Sequence, residues 1–438
     1  MNKQKPVLFT DALDIAMQKA RGVGAALGDE IVLVRDLRGR IRVLLPGKQK
    51  DASKAILGQF SNELSIALGA YGFPPEQAVL FTGDLVSADD IRASNDRRLL
   101  AEEGGVKIYL LDRQITGQDW MRRQLERKTT NPRVTFFGIK GGVGRSTALV
   151  IWAWRLAKQG KKVLLFDLDL ESPGVSSTLL PPEYLPNYGI VDWFVEDGVG
   201  QAEIVEKSMI ATSPLGRDLS GEIRIVPAFG SQTSDYLPRL ARCYSASNGT
   251  TIQSWGERVQ RLVERIETDE KPDIVLLDSR AGIHDIAAVL VTRMDADTLL
   301  FAVDSPQTWA AFTFLFRHWK DHPGIREFRQ RLQMVAGMVP ETGRDDHLKR
   351  FCEHSWDLFR DHLYDETQAS TDDVFSFDLD SEEAPHYPLP VFWNRALQEF
   401  DPTRSPAGID EQIVEASLGK FMADAENWVF KKEEAHER

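Results

Sequence analysis

Cysteine is scarce in this chain. Cys243 and Cys352 are the only two among 438 residues, they lie far apart, and neither has a metal-ligand spacing. The core must form without a disulfide framework, which a chain of this length can do, and a reducing compartment suits it. Long apolar runs are missing too: no stretch approaches the ~20 residues that span a bilayer, so no membrane role is expected. The opening residues, MNKQKPVLFTDALD, have no apolar core and no cleavage signal, so a cytoplasmic protein is expected. Positive charge is in deficit, with 53 Lys and Arg against 66 Asp and Glu and a net charge of −13. That balance argues against a surface that coats nucleic acid uniformly and leaves only a local basic patch to consider.

What the chain does have is a glycine-rich segment, Gly138-Ile139-Lys140-Gly141-Gly142-Val143-Gly144-Arg145-Ser146-Thr147. It reads as a phosphate-binding loop, in which consecutive backbone N–H groups at a helix N-terminus nest phosphates. A plain loop of this kind is G-x-x-x-x-G-K-[S/T]. Two departures stand out. Arg145 occupies the place of the lysine before the hydroxyl residue, and a second basic residue, Lys140, precedes Gly141-Gly142. The flanks agree with the reading. Arg133 to Phe137 is a short β-type run after Asn131-Pro132, and Thr147 to Lys158 has helical composition and stops at Gly160.

Two further runs carry acids. Val163-Leu164-Leu165-Phe166 leads into Asp167-Leu168-Asp169-Leu170-Glu171, and Ile274-Val275-Leu276-Leu277 leads into Asp278. Apolar runs this dense predict parallel strands buried on both faces. Their acidic ends fall where an open α/β sheet takes its ligands. The second is the Walker B pattern, and Asp278 there would bind Mg²⁺ through water. Arg280 follows it, set to sense a terminal phosphate, to face a partner subunit or to lie solvated. Glu171, His284 and Asp285 read as surface or loop residues.

These motifs together resemble the ParA/MinD family of dimerising ATPases, whose variant loop reads K-G-G-x-G-K-[S/T]. The resemblance covers about residues 131–430, including the runs around Tyr188–Phe194, Glu222–Ala228, Ala296–Pro306, Gln333–Pro340 and Leu389–Asn394. It implies a doubly wound, mostly parallel α/β P-loop fold that binds ATP with Mg²⁺. It implies that Gly141, Gly142, Val143, Gly144, Arg145, Ser146 and Thr147 hold the nucleotide. Ser146, Asp167 and Asp278 are implied at the metal, and Asp169 positions the attacking water. Lys140 reaches across a homodimer to the partner's nucleotide. Arginine at 145 keeps the charge and can fork onto phosphate oxygens, but it is longer and planar. No N-K-x-D guanine-reading sequence is present, so ATP is expected rather than GTP.

Residues 1–128 fall outside the resemblance. They predict a small α+β domain, with a helix over Asp11–Leu27, a hairpin turning at Leu37-Arg38-Gly39-Arg40, a helix over Lys50–Tyr71 and a strand over Val106–Leu111. No catalytic constellation is visible there, so a regulatory or partner-binding role is expected. Gln114 to Lys128 predicts a connecting helix, broken at Thr129-Thr130-Asn131-Pro132, and the ATPase domain is set at 129–438. The acidic stretch Tyr364–Glu383 predicts a solvated loop. The apolar spacing over Ile409–Glu434 predicts a C-terminal helix packed on the core, because acids rather than bases line its polar face. Arg317 to Arg331 is the best DNA-binding candidate, although acids and apolar residues interrupt it, so DNA binding is not favoured. The functional expectation is a slow switch ATPase that recruits or positions a partner. The alternatives are an ATP-binding scaffold with little hydrolysis and a metabolic or transfer enzyme on the same fold.

Overall fold

In a computed structural model of the chain, residues 6–48, 54–85, 91, 96–114, 116–128, 130–245, 253–366, 374–398, 400–402 and 409–436 are described. They divide into two compact units, Met1–Arg122 and Arg123–Arg438. Helices of eight residues or more are labelled below.

The first unit is built on a five-stranded sheet in the order β3-β2-β1-β5-β4. Its strands are β1 (Glu30–Arg35), β2 (Ile41–Leu45), β3 (Val79–Phe81), β4 (Arg97–Glu103) and β5 (Val106–Asp112). The β1–β2 hairpin turns where the sequence places it. Gly39 takes a φ of 82°, and Asp36 Oδ1 accepts from the backbone N–H of Arg38 and Arg40, both at 2.9 Å. Helices α1 (Phe9–Leu27) and α2 (Lys54–Leu68) cover one face. Ala12, Ala16 and Ala20 of α1 and Leu57, Phe60 and Leu64 of α2 pack on Ile31, Leu33, Val43 and Ile108. The small α1 side chains let that helix approach the sheet closely. Residues 50–53 of the expected second helix lie outside the described residues.

The second unit is an eight-stranded sheet in the order β13-β12-β11-β6-β10-β7-β9-β8. In chain order these are β6 (Arg133–Gly138), β7 (Lys162–Asp167), β8 (Ala211–Thr212), β9 (Glu222–Val226), β10 (Ile274–Asp278), β11 (Asp297–Ala302), β12 (Leu332–Val339) and β13 (Leu389–Phe392). Every pairing is parallel except β8 with β9. The fold is therefore the expected doubly wound α/β sheet. Helix α3 (Arg145–Lys158) follows β6, and the chain then skips a place to β7 before β10 fills the gap. That reversal of strand order lies beside β6, and a crevice at the carboxyl ends of the strands is expected there.

The elements that carry the acids are held rigidly. Phe136, Trp152, Phe166 and Phe301 are completely buried, each such side chain contributing about 1.5–3 kcal/mol over exposure. The later helices are α4 (Ile190–Asp197), α5 (Tyr236–Cys243), α6 (Trp255–Glu270), α7 (Pro306–Trp319), α8 (Arg344–His362) and α9 (Glu411–His436). Helix α9 packs inward as its spacing predicts. Val414, Leu418, Phe421 and Met422 are buried, and Phe421 meets Trp152 edge-on at 6.3 Å. No helix among the described residues is long and apolar enough to cross a membrane.

The expected connecting helix over Gln114–Lys128 does not form. A single 3-10 turn, Gln118–Met121, is followed by non-helical chain through residue 128. In the second unit this chain is bound by tertiary partners instead. Leu125 N–H donates to the Arg293 carbonyl at 3.0 Å, Lys128 N–H donates to Glu264 at 3.1 Å, and Gln260 donates to the Glu126 carbonyl. Those bonds replace the i→i−4 ladder that a helix would need. In the acidic stretch, residues 367–373, and with them Asp372 and Asp373, lie outside the described residues. Of the remainder, Asp365 is paired with Arg329 at 2.7 Å rather than solvated.

Candidate functional site

The glycine loop spans the turn from β6 into α3. Gly142 and Gly144 take φ angles of 73° and 83°, which glycine adopts without strain. Gly144 precedes the first residue of α3, so the N–H groups of the first turn point out of the helix toward the loop. Val143 is buried and pins the loop from within. Its carbonyl lies so close to Gly337 on β12 that any Cβ at 337 would collide with it. Gly141 and Gly142 face open space and are exposed, while Ser146 and Thr147 are half-buried on the first turn of α3. Lys140 is half-buried and has no ion pair among the described residues.

The acids come to the loop through strand register. Asp278, last in β10, pairs with Asp167, last in β7, and with Phe136 of β6. All three candidate aspartates, Asp167, Asp169 and Asp278, are buried. Asp167 divides its labour. Oδ2 accepts from the Ser176 backbone N–H at 2.8 Å and from its hydroxyl at 2.5 Å, while Oδ1 has no partner. One oxygen thus holds the loop that follows β7, and the other remains available.

Arg145 lies inward among these acids. Its Nε donates to Asp278 Oδ1 and its Nη2 to Asp169 Oδ2, both at 3.1 Å, and it is only 8% exposed. One oxygen on each of Asp169 and Asp278 stays buried without a partner. Burial pushes the Asp278 and Asp167 carboxyls up from the usual range, and Arg145 draws Asp278 back down. Asp169 is likewise raised by burial and lowered by Arg145.

Beyond this cluster the two acidic loops are tied together. Arg280 pairs with Glu171 at 2.9 Å, and the Tyr244 hydroxyl donates to the same carboxylate oxygen at 2.6 Å. The sequence reading singled out Glu171 and Arg280 separately and missed that they meet. It also missed Ser176 and Gly337, which no motif spacing marks. His284 caps the short helix Asp285–Ala288, accepting from Ile286 N–H at 3.3 Å. The basic stretch 317–331 is broken up: Trp319 is buried, Arg329 is paired with Asp365, and Arg331 with Asp295.

The residues present fit a nucleotide with Mg²⁺. Gly141 and Gly142 leave open space in the loop that leads to the α3 N-terminus, and three buried carboxylate oxygens lack partners. Mg²⁺ favours oxygen donors, keeps several waters, and commonly takes one or two carboxylates with substrate phosphates. Among the described residues no group of three or more His, Cys, Asp or Glu is arranged to hold a metal by itself. A metal here would share its ligands with phosphate and Ser146.

Comparison with known proteins finds similarity over the segment that carries these motifs. Residues 134–304 match the family model described as the CobQ/CobB/MinD/ParA nucleotide binding domain. Over 210 residues the chain is 28% identical to the antiactivator FleN of Pseudomonas aeruginosa; the match takes in 48% of this chain and 62% of that protein, less than two thirds of its length. Among solved structures, pNOB8 ParA bound to nonspecific DNA is 15% identical, covering 70% of this chain and 100% of that one at a TM-score of 0.43. Cobyrinic acid a,c-diamide synthase from Mycobacterium smegmatis with bound ADP and magnesium is 16% identical, covering 53% of this chain and 81% of that one at a TM-score of 0.36. Residues 134–304 of the chain, which run from β6 to just past β11, are thus similar to the CobQ/CobB/MinD/ParA nucleotide binding domain.

Proposed function

We propose that the chain is an ATP-dependent switch, in which two subunits close around two ATP–Mg²⁺ and slow hydrolysis releases them. The observation that carries this reading is the convergence of the glycine loop with Asp167, Asp169 and Asp278 at the carboxyl ends of β6, β7 and β10. Backbone N–H groups from Gly141 to Thr147 would cradle the phosphates at the N-terminus of α3. Arg145 would meet phosphate oxygens, and Thr147 would donate to the α-phosphate. Ser146 and Asp278 would hold Mg²⁺, with Asp167 beside it. Bound Mg²⁺ supplies charge neutralisation at the phosphates. Asp169 would orient the attacking water, and Lys140 would complete the partner subunit's site. Loss of the γ-phosphate would then release contacts made by the two acidic loops.

Residues 1–128 are the proposed site for a protein partner, and the likeness to a protein named an antiactivator favours a protein over DNA. The cytoplasm is the proposed location. A second reading, an ATP-binding scaffold with little turnover, is favoured by the engagement of Arg145 with both acids. The test is molar mass by light scattering with ATP, with ADP and without nucleotide, using Asp169→Ala to trap the ATP state. A dimer formed only with ATP is the expected result. One fixed oligomeric state in all three conditions overturns the switch, and absence of turnover in a protein that still dimerises favours the scaffold.

A further inference from the structure

We propose that Arg145 is the resident cation of the metal subsite: its guanidinium bridges Asp169 and Asp278 and keeps Mg²⁺ out until phosphates draw it away, so metal enters only together with nucleotide. The proposal rests on the nucleotide-binding reading above and assigns Arg145 a positioning role beyond contact with phosphate.

The geometry makes the argument. Nε and Nη2 reach two different carboxylates, each at 3.1 Å, from a side chain almost wholly buried. The planar fork reaches the two acids from two separate nitrogens, whereas a lysine ammonium would have to serve both from a single point of charge. Asp167 lies beside Asp278 in register, so a third buried acid adjoins the two that share the guanidinium, and an oxygen on each has no partner. Buried charge left without a partner is strongly destabilising. Arg145 therefore cannot leave unless another cation takes its place. Free Mg²⁺ would have to displace a guanidinium tethered to the site and leave it nowhere to go. Bound phosphates change that balance, because Arg145 is the first residue of α3 and follows directly on Gly144 of the nest. Its side chain then gains an anionic partner as the acids become free for the metal. The released arrangement is a minor population of the nucleotide-free chain, and apparent nucleotide affinity falls by that fraction.

The test uses the full chain and two variants, Arg145→Lys and Arg145→Gln. A fluorescent ATP analogue is titrated in MgCl₂ and in EDTA, and thermal unfolding is followed with MgCl₂ alone. The wild type is expected to show no change in Tm with MgCl₂ alone, whereas Arg145→Gln, its acids uncovered, is stabilised by the metal without nucleotide. Arg145→Lys is expected to bind the analogue in MgCl₂ about tenfold more tightly than the wild type, because it does not have to release a bridge. If nucleotide binding is intact but Arg145→Gln is as indifferent to MgCl₂ as the wild type, the bridge is overturned and the ATP reading stands. If Arg145→Gln does not fold, the Arg145→Lys titration decides, and affinity equal to wild type overturns the bridge. If the wild type fails to bind nucleotide in MgCl₂, the ATP reading falls and this proposal with it.

Discussion

Two buried arginines stand at opposite ends of strand β6, and they are treated differently. Arg133, at its start, is completely satisfied. Its Nε and Nη2 meet both oxygens of Glu267 at 2.8 and 2.6 Å, and its Nη1 donates to the Met294 carbonyl at 2.9 Å. Arg145, just past the end of β6, makes single bonds to two different acids and leaves buried carboxylate oxygens without partners. Interiors normally satisfy their polar groups, so the first cluster reads as architecture and the second as a site under-supplied with positive charge. Burial and charge are common to both; completeness of bonding separates them.

The comparison can be broken most easily at Arg133. Glu267→Ala should lower the unfolding free energy by about 3–5 kcal/mol, because it strands a buried guanidinium. The double change Arg133→Met with Glu267→Leu should recover most of that loss in a urea titration, and a single-variant loss near zero would remove the contrast. At the other end of the strand the sign should reverse. Asp278→Asn removes one of three crowded acids and should raise stability by about 1 kcal/mol, while the Mg²⁺-dependent gain in nucleotide affinity disappears. A less stable Asp278→Asn protein would make the acid cluster architectural too.

His386 sharpens the comparison, because burial rather than a missing partner favours its neutral form. It is buried, with Nδ1 2.5 Å from the Tyr364 hydroxyl and Nε2 3.1 Å from the Leu379 carbonyl. Burial holds its pKa below the ordinary 6.5. The unfolded chain therefore takes up this proton first as pH falls. Stability contributed by neutral His386 is complete above 6.5 and is lost on descending through the lower folded value. Unfolding midpoints between pH 7 and 5 should show a steeper decline in the wild type than in His386→Gln; equal declines would show that His386 contributes nothing. The smallest effect is expected at Lys140. Lys140→Ala should change stability by no more than about 0.5 kcal/mol while abolishing the ATP-dependent dimer. A normal ATP-dependent dimer with normal turnover would remove Lys140 from the mechanism.

The second unit was legible in the sequence because its central strands are buried on both faces. Val134–Phe137, Val163–Phe166 and Ile274–Leu277 are unbroken buried runs, and each gives way to residues suited to chemistry rather than packing. The first unit was read less fully. Strand β4 is an edge strand written Arg-Arg-Leu-Leu-Ala-Glu-Glu, whose charges conceal its period, and β3 has only three residues. The segment 122–128 has helical composition, yet its backbone bonds go to Arg293 and Glu264, so tertiary partners overrode propensity. At the site, residue types and order were readable, but contacts across long separations were not. Nothing in the spacing announces that Arg145 turns onto Asp169 and Asp278, that Glu171 meets Arg280, or that Ser176 holds Asp167.

Gly337 sits on β12, almost two hundred residues from the glycine loop in the chain, and makes no claim on any chemistry. Because its missing side chain is what lets the Val143 carbonyl rest against the strand, even alanine there would lift the loop from below. In a mutational scan position 337 should therefore group with Gly142 and Gly144, intolerant in the same assays, and a selection for tighter or looser loops would find its lever on a strand remote from the loop in sequence.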